Sequence, residues 1–431
     1  MRQSASTGLA TMVAKAVRSV LADSPELLFN WDEKLRRLVC GICLSRSLLL
    51  QDIAQTMPGV VKTTEDSLSD FLARQRLKLH GAQRAAVIAA LKRRGRRRIW
   101  KYDGKVALVC DTTEYAKARS RGKVRPMPGK GLVRVHNLPT DETILVPGYQ
   151  EVWVCLLLED GTALPLVRRL WSENGPTCAS MNIIEEAAIS DARDLVKEAL
   201  KLDVILVADR GFRRKSLLRW LKGEGMDFVI RLEGKLTVAL GEDTGLLAEM
   251  SNWWRERLKM PWRDKAKQVL VSSVASRRVR VRTESQESFC FNVLCLTPVR
   301  ATVEPMFLAT TLTTERVSDL IRIVRLYSRR WAIETFFWEF KQGLNGDSWR
   351  VFSQWHAIDH LLTAAHIAFL VLALLEDYAR RGRTAALRGT WDWMGRVLRE
   401  RFARPPERTR GRFMQIIAMD FPSPCLAGVL V

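Results

Sequence analysis

The stretch YSRRWAIETFFWEFKQGLNGD, residues 327–347, decides how the chain is read. Apolar Ile333, Phe337 and Phe340 recur at helical spacing and Gly343 offers a stop, so the spacing predicts one helix. At about 100° per residue, Tyr327, Arg330, Glu334 and Lys341 fall within an arc of roughly 60°, beside that apolar side. A solvated helix face rarely sets Tyr327 and Trp331 in line with its charges. A face that grips a phosphate backbone does. Arginine binds phosphate with paired hydrogen bonds, lysine acts as a point charge, and aromatic rings offer stacking surface.

Charge points the same way. The 431-residue chain, 47% hydrophobic, is long enough for two or more globular domains. It carries 69 Lys and Arg against 47 acidic residues, a formal net charge of +22. A small neutral substrate does not call for such an excess. A polyanion does, because each phosphate neutralised releases condensed counterions. Membrane-surface binding is the competing account, but the sequence has no basic amphipathic helix with a clean lipid-facing side. Nucleic acid is the better partner.

The eight cysteines exclude other classes. Cys110, Cys155, Cys290 and Cys295 sit inside apolar runs, as reduced core cysteines do. Cys40-x-x-Cys43 has no second pair and lies in a helical pattern, so a zinc site is not expected there. With five histidines in the chain, metal chemistry has to rely on carboxylates. The longest apolar run, LLTAAHIAFLVLALL at 361–375, is too short to span a bilayer and reads as a buried core helix. The opening segment has the Arg, Ser and Ala content of a transit peptide, but a plain amphipathic helix explains it equally. The chain is therefore expected to be cytoplasmic and, in a prokaryote, to reach the nucleoid directly.

Working outward from 327–347, the chain divides by pattern. Residues 1–98 read as a helical DNA-binding domain. Two of its helices break at Met57-Pro58-Gly59, with Thr63 or Thr64 as the next N-cap, in the manner of a helix-turn-helix. Plain helical packing is the alternative. The run KRRGRRR at 92–98 follows. Residues 99–234 alternate as three strands, helix, strand, helix, strand, which predicts a mixed α/β sheet. They include a basic Pro/Gly-rich loop at 117–136. Residues 235–316 read as an antiparallel β insertion, carrying Trp253, Trp254 and Trp262 among basic residues. The α/β pattern resumes over 317–376, and a Trp/Arg-rich helical region closes the chain over 377–431.

Two apolar strands, KVALVCD at 105–111 and DVILVAD at 203–209, each end on a carboxylate. In α/β sheets ligands gather beyond the carboxyl ends of strands, so Asp111 and Asp209 are expected at one edge. Two neighbouring carboxylates repel unless a cation lies between them. Hard ions such as Mg²⁺ take a few carboxylates plus phosphate oxygens, and a two-metal site serves phosphodiester displacement. Glu334 is the candidate third ligand. Against this, an Asp at a strand end commonly begins a turn or caps a helix.

The spacing Tyr327-x2-Arg330-x3-Glu334-x6-Lys341 resembles the YREK signature of bacterial insertion-sequence transposases. These are DDE enzymes with a ribonuclease H-like core, related to retroviral integrases. Trp331 after the arginine, Asp209-Arg210-Gly211 and VALVCDTTE extend the resemblance over about residues 100–350. It implies that Asp111, Asp209 and Glu334 ligate two Mg²⁺ or Mn²⁺ ions. It further implies that Tyr327, Arg330 and Lys341 hold backbone phosphates, with Arg210 as a weaker candidate and Trp331 as stacking platform or core cover. The implied activity is cleavage at the ends of a mobile element followed by strand transfer into target DNA, in a synaptic complex that pairs two DNA ends as a homodimer. Some relatives stack a flipped base on an insertion-domain tryptophan while passing through a hairpin; here that strand reads EPMFLATTL, with Met306 and Phe307 instead. A nuclease that cuts without joining, and a non-catalytic DNA-binding derivative, are the alternatives.

Overall fold

The computed structural model describes residues 2–22, 29–74, 77, 79–96, 98–116, 131–137, 142–176, 179–249, 262–263, 269–283, 287–298, 304–346, 349 and 354–380. The basic loop over 117–130, Trp253, Trp254 and the region from 381 onward lie outside these residues.

The amino-terminal helices are α1 (Arg2–Val20), α2 (Phe29–Ser45), α3 (Leu50–Gln55), α4 (Val61–Leu72) and α5 (Leu79–Arg94). The expected break separates α3 from α4, and Gly59 turns the chain there at φ +110°, a conformation that costs little only for glycine. Helix α4 starts earlier than the sequence suggests. Its N-cap is Val60, without a side-chain cap bond, and not Thr63 or Thr64. The Pro58-Gly59 turn has already redirected the chain, so helix begins at once.

Strands β1 (Lys101–Tyr102), β2 (Lys105–Ala116), β3 (Gly131–Asn137), β4 (Glu142–Leu157) and β5 (Ala163–Trp171) lead to α6 (Met181–Leu200). Then come β6 (Val204–Ala208), α7 (Lys215–Gly223) and β7 (Asp227–Leu232). The insertion supplies β8 (Thr237–Leu240), β9 (Asp243–Leu246), β10 (Trp262–Arg263), β11 (Val269–Arg282), β12 (Ser288–Pro298) and β13 (Met306–Thr310). Among the described residues all these strands join one sheet, in the order β3-β4-β2-β6-β7-β13-β12-β11-β8-β9, with β1 on β2, β5 on β4 and β10 on β11. Among the described residues, only β2, β6 and β7 run parallel to one another. Their cores, VALVC, VILVA and FVI, are buried without alternation, as parallel strands covered on both faces must be. The insertion is antiparallel, as expected, and β13 pairs with β7, so its strands prolong the core sheet.

One strand end is corrected. Strand β2 does not stop at Asp111 but continues to Ala116, because β4 stays paired with it as far as Ala116↔Gly148. Asp111 stands instead where the parallel pairing of β2 with β6 ends, just after Cys110↔Ala208.

The single helix expected over 327–347 is a broken one. Helix α8 (Val317–Ser328) passes through a 3₁₀ turn, Arg329–Trp331, into α9 (Ala332–Trp338), and a π turn, Glu339–Gly343, ends it. The 3₁₀ turn overwinds and the π turn underwinds, so their effects on side-chain phase oppose each other.

Helix α10 (Trp355–Arg380) is long and apolar enough to cross a membrane, yet 94% of its apolar window is buried inside the fold. It packs on α1, α2, α4, α5 and β5. One hydrophobic cluster runs from Ala10 to Leu375, joining the amino-terminal helices to the sheet through this helix. Cys40 and Cys43 lie in that cluster as free thiols, and burial pushes Cys40 up to about 12. Beside α10, Glu151 is fully buried and accepts from Tyr115 Oη (2.5 Å), Trp153 Nε1 (2.7 Å) and Arg168 Nε. Arg168 in turn pairs with Asp359 (2.9 Å) and donates to Thr363 Oγ1 (2.8 Å).

Candidate active site

Because Cys110 and Ala208 are partners on parallel strands, the residues that follow them, Asp111 and Asp209, leave the pair at one level. Asp111 Oδ1 accepts from the Thr112 amide (2.8 Å). Asp209 Oδ1 accepts from the Gly211 amide (2.7 Å) and so caps the 3₁₀ turn Arg210–Phe212. A Cβ at position 211 would stand 2.9 Å from that same oxygen and push the carboxylate aside, so glycine there keeps Asp209 in this position. Asp209 thus does cap a turn, as strand-end aspartates commonly do, and in doing so its carboxylate is held at the sheet edge.

The broken helix crosses this edge, α8 packing on β6 and β7, and α9 on β2 and β5. Arg330 joins two of the acids: one guanidinium nitrogen donates to Asp111 Oδ2 (3.2 Å) and the other to Glu334 Oε1 (2.5 Å). Its charge also reaches the Tyr327 phenol, whose pKa burial raises and Arg330 pulls back. Arg231 of β7 and Asp209 act on the same phenol through their charges. Lys341 Nζ donates to the Glu114 carbonyl (2.9 Å) and lies 5.4 Å from the centre of the Tyr115 ring, farther along β2 than Asp111.

Trp331 is 56% exposed, with the Arg330 guanidinium 6.0 Å from its ring centre. It is not core cover. Phe307, at the position where a stacking tryptophan was sought, is buried between β7 and β12. Arg210, next to Asp209 in the capped turn, is exposed and forms no ion pair among the described residues. Sequence reasoning missed the pair Glu185–Arg214, whose charges reach the site from α6 and the start of α7. Glu185 is buried, its pKa is raised by that burial, and it feels Asp209 directly. Its signal was available: it occupies the stripe of Ala188, Ile189, Ala192 and Val196, where a core residue belongs.

The site is overcharged with acid. Asp111 is pushed up to about 7, first by burial and then by the neighbouring Asp209, against which the Thr112 amide and Arg330 act. Three carboxylates of one sign, one of them raised first by burial and then by repulsion, fit a hard divalent cation in their chemistry. Among the described residues no three acidic, His or Cys side chains are grouped closely enough to hold one, and Arg330 supplies the counter-charge between Asp111 and Glu334.

No curated protein matches the chain. Residues 185–370 match the family model of the transposase DDE domain. That stretch contains Asp209 and the whole broken helix but not Asp111. Over it, the chain is similar to the DDE domain of transposases.

Proposed function

We propose that the chain is a DNA transposase with a ribonuclease H-like core and the YREK signature. It cleaves phosphodiester bonds at the ends of a mobile element and joins the freed 3′-OH to target DNA. The observation that carries this reading is that Asp111 and Asp209 each directly follow the paired Cys110 and Ala208 on adjacent parallel strands, with Glu334 tied to Asp111 through Arg330. Similarity of residues 185–370 to the transposase DDE domain supports it independently.

Asp111, Asp209 and Glu334 would hold Mg²⁺ or Mn²⁺, two ions per site. Bound there, they would supply Lewis-acid chemistry for water activation and for stabilising a leaving oxygen. The chain's own groups do the rest. Arg330 is anchored by two carboxylates and, once these are neutralised, its fork is free to take a phosphate oxygen pair. Tyr327 and Lys341 add a phenol donor and a point charge along the same helix. Trp331, exposed at the edge, offers a face to a base. The helices of 1–98 would bind the element end, and the core of 99–234 and 317–376 would act on it. The reaction would run in a cytoplasmic dimer assembled on DNA.

Incubation of the protein with Mg²⁺, a donor end and supercoiled plasmid tests the reading. Joined donor–plasmid products are expected; cleaved donor without joined products would make the chain a nuclease instead, and neither product a DNA-binding protein.

A further inference from the structure

Helix α8 carries charge on a second side. Arg322 and Arg325 lie about 140° and 160° around the helix from Tyr327, taking about 100° per residue. With Ser328, Arg329, Trp100 and Lys101 they line a pocket of about 370 Å³, away from Asp111 and Asp209. That volume falls within the range of about 300–1,000 Å³ usual for small-ligand sites.

The cations of this pocket differ in how they are satisfied. Arg322 pairs with Asp103 (2.6 Å) and stacks 4.2 Å above the Tyr102 ring centre. Arg329 donates to the Glu159 carbonyl (3.2 Å) and sits 5.5 Å from the centre of the Trp100 ring. Both are thereby held in fixed positions. Arg325 and Lys101 are exposed and have no ion-pair partner among the described residues. Two oriented guanidinium groups, two unneutralised cations and an indole converge on a space the size of one nucleotide. A nucleotide unit meets every part of it: a phosphate for the cations, a ring for the indole. An acidic peptide meets only the charge and leaves the indole without a ring to stack on.

We propose that this pocket is a second nucleic-acid site, which takes one phosphate–sugar–base unit of a DNA strand on the far side of α8 from the catalytic carboxylates. The strand bound here is a different segment from the phosphodiester at Asp111, and its binding needs neither the acids nor a metal.

The test uses the full chain without divalent ion and a short fluorescent single-stranded deoxyoligonucleotide followed by anisotropy. Lys101→Ala combined with Arg325→Ala is expected to weaken binding about tenfold, since together these cations neutralise the bound phosphate and release its counterions. Lys197→Ala with Lys222→Ala removes equal charge from α6 and α7 and should change affinity less than about twofold. Trp100→Leu should cost roughly fivefold to a hundredfold and Trp100→Phe much less, as expected for base stacking. A 5-bromodeoxyuridine strand should photocrosslink to the peptide containing Trp100. Equal losses in the two charge-matched pairs, crosslinks confined to other peptides, or polyglutamate competing as well as the oligonucleotide would each overturn the proposal.

Discussion

Arg330 touches Asp111 and Glu334 together, so the balance of charge at the site rests on one residue reaching between a strand and a helix. Burial and Asp209 hold Asp111 up to about 7. The unfolded chain gives up that proton near pH 4. The favourable contribution of protonated Asp111 is therefore full below about pH 4 and is lost as pH rises through about 7. Asp111→Asn should flatten the melting temperature across that window and raise it by a few degrees above pH 7, which thermal melts in metal-free buffer will measure. Gly211→Ala should leave the melting temperature nearly unchanged yet lower cleavage by roughly tenfold to a hundredfold, because the added Cβ displaces Asp209. Steady-state cleavage assays check the loss. At this scale the sequence was informative where spacing carries the message: Arg330 and Glu334 are four residues apart and meet in the fold. Glu185 was harder to read, because its partner Arg214 comes from a different element.

The helix that carries Glu334 shows why an element's type can be legible while its regularity is not. The 3₁₀ turn is overwound and the π turn underwound, so the hydrophobic period of 327–343 still reads as one α-helix. The end of β2 is hidden for a related reason. Its apolar run stops at Asp111, but hydrogen bonding to β4 keeps the polar residues beyond it extended. Strands β4 and β5 also support the site from beneath. Glu151 holds Tyr115, whose ring lies under Lys341, and is itself balanced by Arg168. Glu151→Leu leaves the Arg168 charge buried beside Asp359 alone and should cost about 3–5 kcal/mol, read by urea unfolding. Cleavage measured well below the melting temperature should fall less than in a Glu334 variant.

Across the whole molecule, one sheet runs from β3 through the parallel strands into the insertion, and α10 ties it to the amino-terminal helices. The α/β class was legible in the alternation of strand and helix patterns. The pairing of β13 with β7 was not, because it joins segments far apart in sequence and leaves no local trace. The net charge of +22 was fully legible and has a direct consequence. Binding to duplex DNA should weaken about a thousandfold between roughly 50 and 200 mM salt, measured by filter binding or anisotropy. The central claim is that Asp111, Asp209 and Glu334 form one catalytic set acting on DNA. Its most direct measurement is cleavage of a donor end in Mg²⁺ by Glu334→Gln beside the unaltered chain, with duplex affinity measured in parallel. Cleavage should fall at least about a thousandfold, with affinity kept within about threefold. Cutting by Glu334→Gln at the unaltered rate would contradict the claim.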